Sequence, residues 1–190
     1  MWVAGPGLRR GQPTALAALM VVVLVLASGQ LAEAFNNQDN PDCKWPNGAS
    51  VVVQYHWGPS INVSGNWANK FRLGNDHWNA AGTKVSLFFN SSSAATADVY
   101  SAADNATGKT QIVCRVGTFG EMAEFHSYGN VMYNPDATGD LLEMERTTTH
   151  EFGHGLGLGH SFDTSAVMYF SNSAIFPNAD DIAGLNSLYP

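Results

Sequence analysis

The chain has 190 residues, with nine Lys and Arg against 16 Asp and Glu and a formal charge of −7. An acidic surface with so few cations argues against nucleic acid or an anionic membrane as partner. Beyond the N-terminal leader no apolar run is long enough to span a bilayer, which needs about 20 residues.

Arg9 and Arg10 precede an apolar run from about Ala15 to Ala27, and Ala32-Glu33-Ala34 has the A-x-A form of a cleavage site. Residues 1–34 are therefore expected to be a secretory signal peptide, the run being short for a membrane helix, with an uncleaved N-terminal anchor as the competing reading. Cleavage would leave residues 35–190 as a single secreted domain, large enough for one sizeable core. It would also remove two positive charges and one negative, taking −7 to −8. In an oxidising compartment Cys43 and Cys114 are expected to form a disulfide between the N-terminal segment and a central strand. A free thiol and a thiolate that masks a metal are the competing readings. Asn62, Asn90 and Asn105 each begin an N-x-[ST] sequon, an acceptor only where the host glycosylates secreted chains.

Residues 35–48 are polar, contain Pro41 and Pro46, and read as an extended arm. Val51 to Trp57, β-branched and aromatic, predicts a first strand. Trp67, Phe71, Trp78 and Ala81 recur at helical spacing, with Gly82 as the stop. Val85 to Phe89 predicts a buried strand, Ala97 to Ser101 a short one, and Gln111 to Val116 another that carries Cys114. Glu121 to Asn134 is less regular, with a short strand expected at Val131–Tyr133. Asp140 followed by Glu143 resembles a capping box and predicts a helix from Asp140. Leu141, Met144, Thr148, Phe152 and Leu156 share its buried face. Thr147-Thr148-Thr149 is mediocre helix sequence, so packing must override propensity there. A last helix follows Pro177, capped by Asn178, with Ile182, Leu185 and Leu188 as its apolar stripe.

The chemistry concentrates in His150-Glu151-Phe152-Gly153-His154-Gly155-Leu156-Gly157-Leu158-Gly159-His160. On a helix, residues i and i+4 lie on one face, so His150 and His154 can present two imidazoles to one ion. Gly157 is suited to leaving the helix and turning, which brings His160 back as a third ligand. Three protein ligands and an open position describe a catalytic zinc site. Glu151, about 100° further round the helix, reaches a water on that ion rather than the ion itself. It would act as base and then as acid in the hydrolysis of a peptide bond. The four glycines between Gly153 and Gly159 are not a dinucleotide loop, because a histidine-bearing helix and no strand precedes them. A secreted protein that keeps the zinc but only binds is the alternative class. No residue favours it.

With Ser161 directly after the third histidine, Ala166-Val167-Met168-Tyr169, and Asp180-Asp181-Ile182-Ala183-Gly184-Leu185, the chain resembles the metzincin clan of zinc endopeptidases. Within the clan it is most similar to the matrixins. The likeness is strong over residues 150–190 and looser at Lys44-Trp45-Pro46 and around Trp78. It implies an α+β catalytic domain of zincin type: a twisted, mostly parallel sheet with an antiparallel edge strand, two main helices and a C-terminal helix. The edge strand would lie near Asn130–Tyr133 and pair with extended protein or peptide substrates. A monomer with no membrane contact after signal cleavage is expected, and the resemblance implies Met168 packed beneath the metal without ligating it.

Departures from the matrixin pattern carry expectations of their own. His126 stands without ligand-spaced partners and Tyr133 occupies a position where matrixins have a histidine, so one catalytic Zn²⁺ and no structural zinc is expected. His56 and His77 likewise read as structural or surface histidines. Ca²⁺ is common in the family, and only Asp136, Gly139 and Asp140 offer a weak cluster for it. The matrixin cysteine-bearing pro-segment has no recognisable counterpart, since Pro41-Asp42-Cys43-Lys44 is not that motif. Phe170 replaces the proline usual after the Met-turn tyrosine, altering the wall of the specificity pocket, and Tyr169 is given no catalytic role. Matrixin-like N-termini also imply that the Phe35 amine would pair with Asp180 or Asp181 after signal cleavage.

Overall fold

A computed structural model describes residues 43–116, 120–171 and 173–190. The expected signal peptide, its cleavage point and Phe35 lie outside these residues. Five strands and three helices succeed one another as β1 (Val51–Trp57), α1 (Asn66–Ala80), β2 (Val85–Phe89), β3 (Thr96–Tyr100), β4 (Gly108–Cys114), β5 (Met122–Asn130), α2 (Leu141–Gly155) and α3 (Ala179–Leu188). The strands form one sheet in the order β2-β1-β3-β5-β4. All pairs are parallel except β4 with β5, so the sheet is mostly parallel with one antiparallel edge, as the sequence implied.

Strand β1 shows the period-2 pattern of a half-buried strand: Val51, Val53 and Tyr55 are buried while Val52 and Gln54 are exposed. The inward residues meet the helix pair in an aromatic cluster, where Phe152 of α2 lies 4.9 Å from Tyr55, 5.2 Å from Phe71 of α1 and 6.0 Å from Phe125 of β5 between ring centroids. Burying such rings is among the larger stabilising terms available to a domain of this size.

Helix α2 begins where Asp140 caps it, its carboxylate accepting from the N–H groups of Leu142 and Glu143. The threonine run is explained by the close approach of α1. A side chain at Gly74 would come within 3.1 Å of the backbone at Thr148 and Thr149. The Thr148 hydroxyl donates to the Lys70 carbonyl at 2.9 Å, and the Trp78 indole donates to the Thr149 carbonyl at 2.7 Å. Small branched residues thus let the helices touch. Leu141, expected on the buried face, is instead 47% exposed, because it sits at the first residue of the helix, ahead of the turn that packs.

One placement is corrected. The antiparallel edge strand is not at Asn130–Tyr133 but at β4, and residues 131–133 form a turn. The physical reason is Asn130, fully buried at the end of β5. Its Nδ2 donates to the carbonyls of Ala102 and Ala106, and its Oδ1 accepts from the N–H groups of Ala102 and Met132. These bonds tie the strand end to the β3–β4 loop and turn the chain away from the sheet.

Cys43 and Cys114 are joined in a disulfide, with Cα atoms 5.9 Å apart, linking the arm to the end of β4. The arm also reaches two helix ends: the Lys44 ammonium donates to the Leu188 carbonyl at 2.7 Å and the Trp45 indole to the Gly155 carbonyl at 2.8 Å. Among the described residues no helix is long and apolar enough to cross a membrane.

Candidate metal centre and cleft

Helix α2 places His150 and His154 one turn apart, with ring centroids 4.8 Å from each other. Just past the C-cap Leu156 the chain leaves the helix through Gly157, whose φ of +101° lies in the left-handed region that glycine enters without steric cost. The reversal brings His160 back, its ring 5.2 Å from His150 and 4.9 Å from His154. One nitrogen of each of the three imidazoles lies within 4.8 Å of the other two. Among the described residues this is the group of three or more His, Cys, Asp or Glu side chains that could hold an ion.

The rings are oriented from behind. Nδ1 of His150 lies 2.7 Å from the Val167 carbonyl and Nδ1 of His154 lies 2.8 Å from that of Leu158. A carbonyl only accepts, so Nδ1 carries the hydrogen on both rings and Nε2 is left with its lone pair for a metal. Burial holds the His150 imidazolium down to a pKa of about 4, opposed by its bond to Val167, and burial pushes His154 well below the ordinary histidine value. Both are neutral near pH 7, the form that ligates. Nitrogen donors from three histidines fit zinc, whose catalytic sites take three protein ligands and keep one position open.

Met168 packs against the helix between the two histidines: a Cβ at Gly153 would meet its sulfur at 2.2 Å. The turn that carries Met168 is held by Asp181, whose carboxylate accepts from the N–H groups of Val167, Met168 and Asn178 at 2.8, 3.0 and 2.9 Å. Asp181 has no exposure, while Asp180 accepts from the Ser161 hydroxyl at 2.5 Å.

Glu151 is 5% exposed, and its Oε2 lies 2.7 Å from the hydroxyl of Thr110 on β4. Burial raises its pKa to about 8, the Thr110 hydrogen bond opposing the rise, and a dication nearby would lower it from there. A carboxyl in that range exchanges protons near neutral pH. The histidines and Glu151 open onto a cleft of about 520 Å³, walled by residues 105–110 on one side and by α2, Phe170 and Ser171 on the other. The edge strand therefore runs along the cleft.

The other sequence candidates lie apart. His126 is 2.8 Å from the Thr96 hydroxyl and 3.6 Å from Glu124; His56 faces the Ala95 carbonyl; His77 sits between α1 and α2. Of the weak calcium cluster, Asp136 accepts from the Trp67 N–H at the start of α1, and Asp140 caps α2. Thr110, Gly108 and Asp181 were not legible as site residues in these roles. No motif spacing links them to the histidines, and only the register of β4 against α2 brings Thr110 to Glu151.

The sequence model of the matrixin family (peptidase M10) matches residues 34–190. Among curated relatives, the chain is 46% identical over 52 residues to the metalloendoproteinase 1-MMP of Arabidopsis thaliana, covering 25% of this chain and 14% of that protein. It is 50% identical over 58 residues to the hatching enzyme of Paracentrotus lividus, covering 28% and 10%. It is 35% identical over 98 residues to the matrilysin of Homo sapiens, covering 38% and 37%. These matches span between a tenth and somewhat over a third of the relatives' own length.

Proposed function

Since the chain belongs to the matrixin family, we propose that it is a secreted zinc endopeptidase that cuts internal bonds of extended protein or peptide chains. The observation that carries this reading is the convergence of three imidazoles with a buried carboxyl at the floor of an open cleft. His150, His154 and His160 would hold one zinc ion, and Met168 would support them from beneath as packing. When bound, zinc supplies Lewis acidity, drawing the pKa of a water towards neutrality and polarising a scissile carbonyl.

The protein's own residues supply the rest. Glu151 takes the proton of the attacking water and passes it to the leaving amide nitrogen, acting as base and then as acid. Its burial excludes competing solvent and keeps the carboxyl in the proton-exchanging range. β4 is a sheet edge beside the site, so an extended substrate can add to it by main-chain hydrogen bonds, which orients the scissile bond without demanding one side chain. Residues 1–34 are read as the export signal, Asn62, Asn90 and Asn105 as glycan acceptors where the host attaches them, and Ca²⁺ as an optional structural ion.

Glu151→Gln keeps the shape and removes the proton acceptor. Peptide cleavage should fall by at least ~10²-fold, the scale of a lost general base, while zinc content by metal analysis stays at one per chain. Cleavage at the original rate by the variant would remove Glu151 from this role. Failure of the unaltered, zinc-loaded protein to cut any member of a peptide library would favour a binding function.

A further inference from the structure

The carboxyl of Glu151 is not held by its own helix but gripped from the edge strand. The Thr110 Oγ1 lies 2.7 Å from Oε2 of Glu151, 2.9 Å from the Glu151 carbonyl and 2.9 Å from Oγ of Ser127. In the ionised form that takes a proton from water the carboxylate only accepts, so the hydroxyl at 2.7 Å is then the donor. Ser127, fully buried on β5, has its own hydroxyl 3.2 Å from the Glu151 carbonyl. Ser127 can thus serve that carbonyl, leaving the single hydrogen of Thr110 for the carboxylate. The other oxygen, Oε1, lies beside Gly108: a Cβ there would stand 2.8 Å from Oε1 and 2.5 Å from the Thr147 methyl. β4 therefore contributes a clamp on one carboxylate oxygen and, two residues earlier, a bare backbone that makes room for the other.

We propose that Thr110 is the positioning residue for Glu151, holding Oε2 as a permanent hydrogen-bond acceptor so that proton transfer runs through Oε1 alone. The inference rests on the endopeptidase reading given above. In the transfer, the proton leaves the attacking water for Oε1 and then leaves Oε1 for the amide nitrogen as the C–N bond breaks. Oε2 accepts from Thr110 throughout, so the carboxyl need not rotate between the two steps. Preorganisation of this kind acts on the chemical step and not on substrate affinity. The same contact connects the strand on which substrate docks to the residue that moves the proton.

The test compares Thr110→Val, which keeps the shape and loses the hydroxyl, with Thr110→Ser, which keeps the hydroxyl, using zinc-loaded protein and one peptide substrate. Thr110→Val should lower kcat by roughly 10- to 100-fold, the scale of a hydrogen bond to a charged group, with KM nearly unchanged. Thr110→Ser should recover most of the rate. Zinc content should match the unaltered protein in both variants. An unchanged kcat in Thr110→Val, a loss confined to KM, or a serine variant no better than valine would overturn the assignment. If the unaltered protein cleaves nothing, the endopeptidase reading falls. Crystal structures of the unaltered and Thr110→Val proteins then decide the clamp separately: a Glu151 carboxylate displaced in the variant supports it, and one that stays in place overturns it.

Discussion

Asp181 illustrates how far a single side chain controls the candidate metal centre without touching the three histidines. Its carboxylate gathers two N–H groups of the turn that carries Met168 and a third from Asn178, whose side chain caps α3 in return. The carbonyl of Val167, in the same turn, orients His150. Burial raises the Asp181 pKa and the three N–H bonds oppose it, so the charge stays in place only because it is fully bonded. Asp181→Ala would leave buried N–H groups of Val167 and Met168 without an acceptor. A destabilisation of about 2–4 kcal/mol is expected, one to three for each orphaned donor less any relaxation, together with weaker zinc retention. Urea unfolding of the zinc-loaded variant and competition with a chelator measure the two effects. A loss below about 1 kcal/mol would show that the turn holds itself.

At the scale of elements, α2 and the cluster of three histidines were legible because the three are close in sequence and the spacing of the first two is helical. β5 was not, and the site is the cause. Its inward positions run Phe125, Ser127 and Gly129, all buried. Ser127 is polar because it serves the Glu151 carbonyl, and Gly129 lacks a side chain because the Trp67 ring stands 2.3 Å from where its Cβ would be. The alternation of a strand is present, but function and packing have removed the hydrophobic residues that would announce it. The misplaced edge strand has the same origin, since a lone buried Asn130 ends β5 through contacts with a loop distant in sequence. The α1–α2 interface carries its own titratable group. His77 faces Thr149 and Glu145 on α2 and the ring of Phe176, with Lys70 and Asp76 on its own helix. Burial, the largest influence, lowers its pKa below 6.5 despite the carboxylates of Glu145 and Asp76. The unfolded chain therefore takes up a proton before the folded one does, so stability is full above pH 6.5 and is lost as pH falls below it. In excess zinc, the unfolding free energy of the unaltered protein should drop more between pH 7 and about 5.5 than that of His77→Gln. Parallel slopes would mean that His77 charges freely in the folded state.

Across the whole molecule, the arm joins parts that the sheet alone does not. The disulfide fixes it to the end of β4, and Lys44 adds backbone bonds to Gly120 and Met122. Trp45 reaches Gly155 at the end of α2, and Tyr189 after α3 accepts from the Trp45 N–H while donating to the Leu156 carbonyl at 2.7 Å. The strand that walls the cleft is thereby braced against the helix that bears His150 and His154 and against the C-terminal segment. Both cysteines were visible in the sequence, but the brace was not, because it depends on indole, hydroxyl and ammonium groups meeting carbonyls over separations of more than 100 residues. The bridge spans 71 residues, so it removes considerable freedom from the unfolded chain. Replacing both cysteines by alanine should cost about 2–5 kcal/mol, which in a domain of this size lowers the midpoint of thermal unfolding by roughly 5–15 °C. Because the opposite end of β4 carries Thr110 and Gly108, the loosened edge should also bind an extended peptide less well, raising KM in the double variant. Thermal scans with and without reductant, set beside the KM of the same samples, separate the two consequences. An unfolding midpoint that ignores both the reductant and the substitutions would show that the hydrogen bonds of Lys44 and Trp45 brace the cleft by themselves.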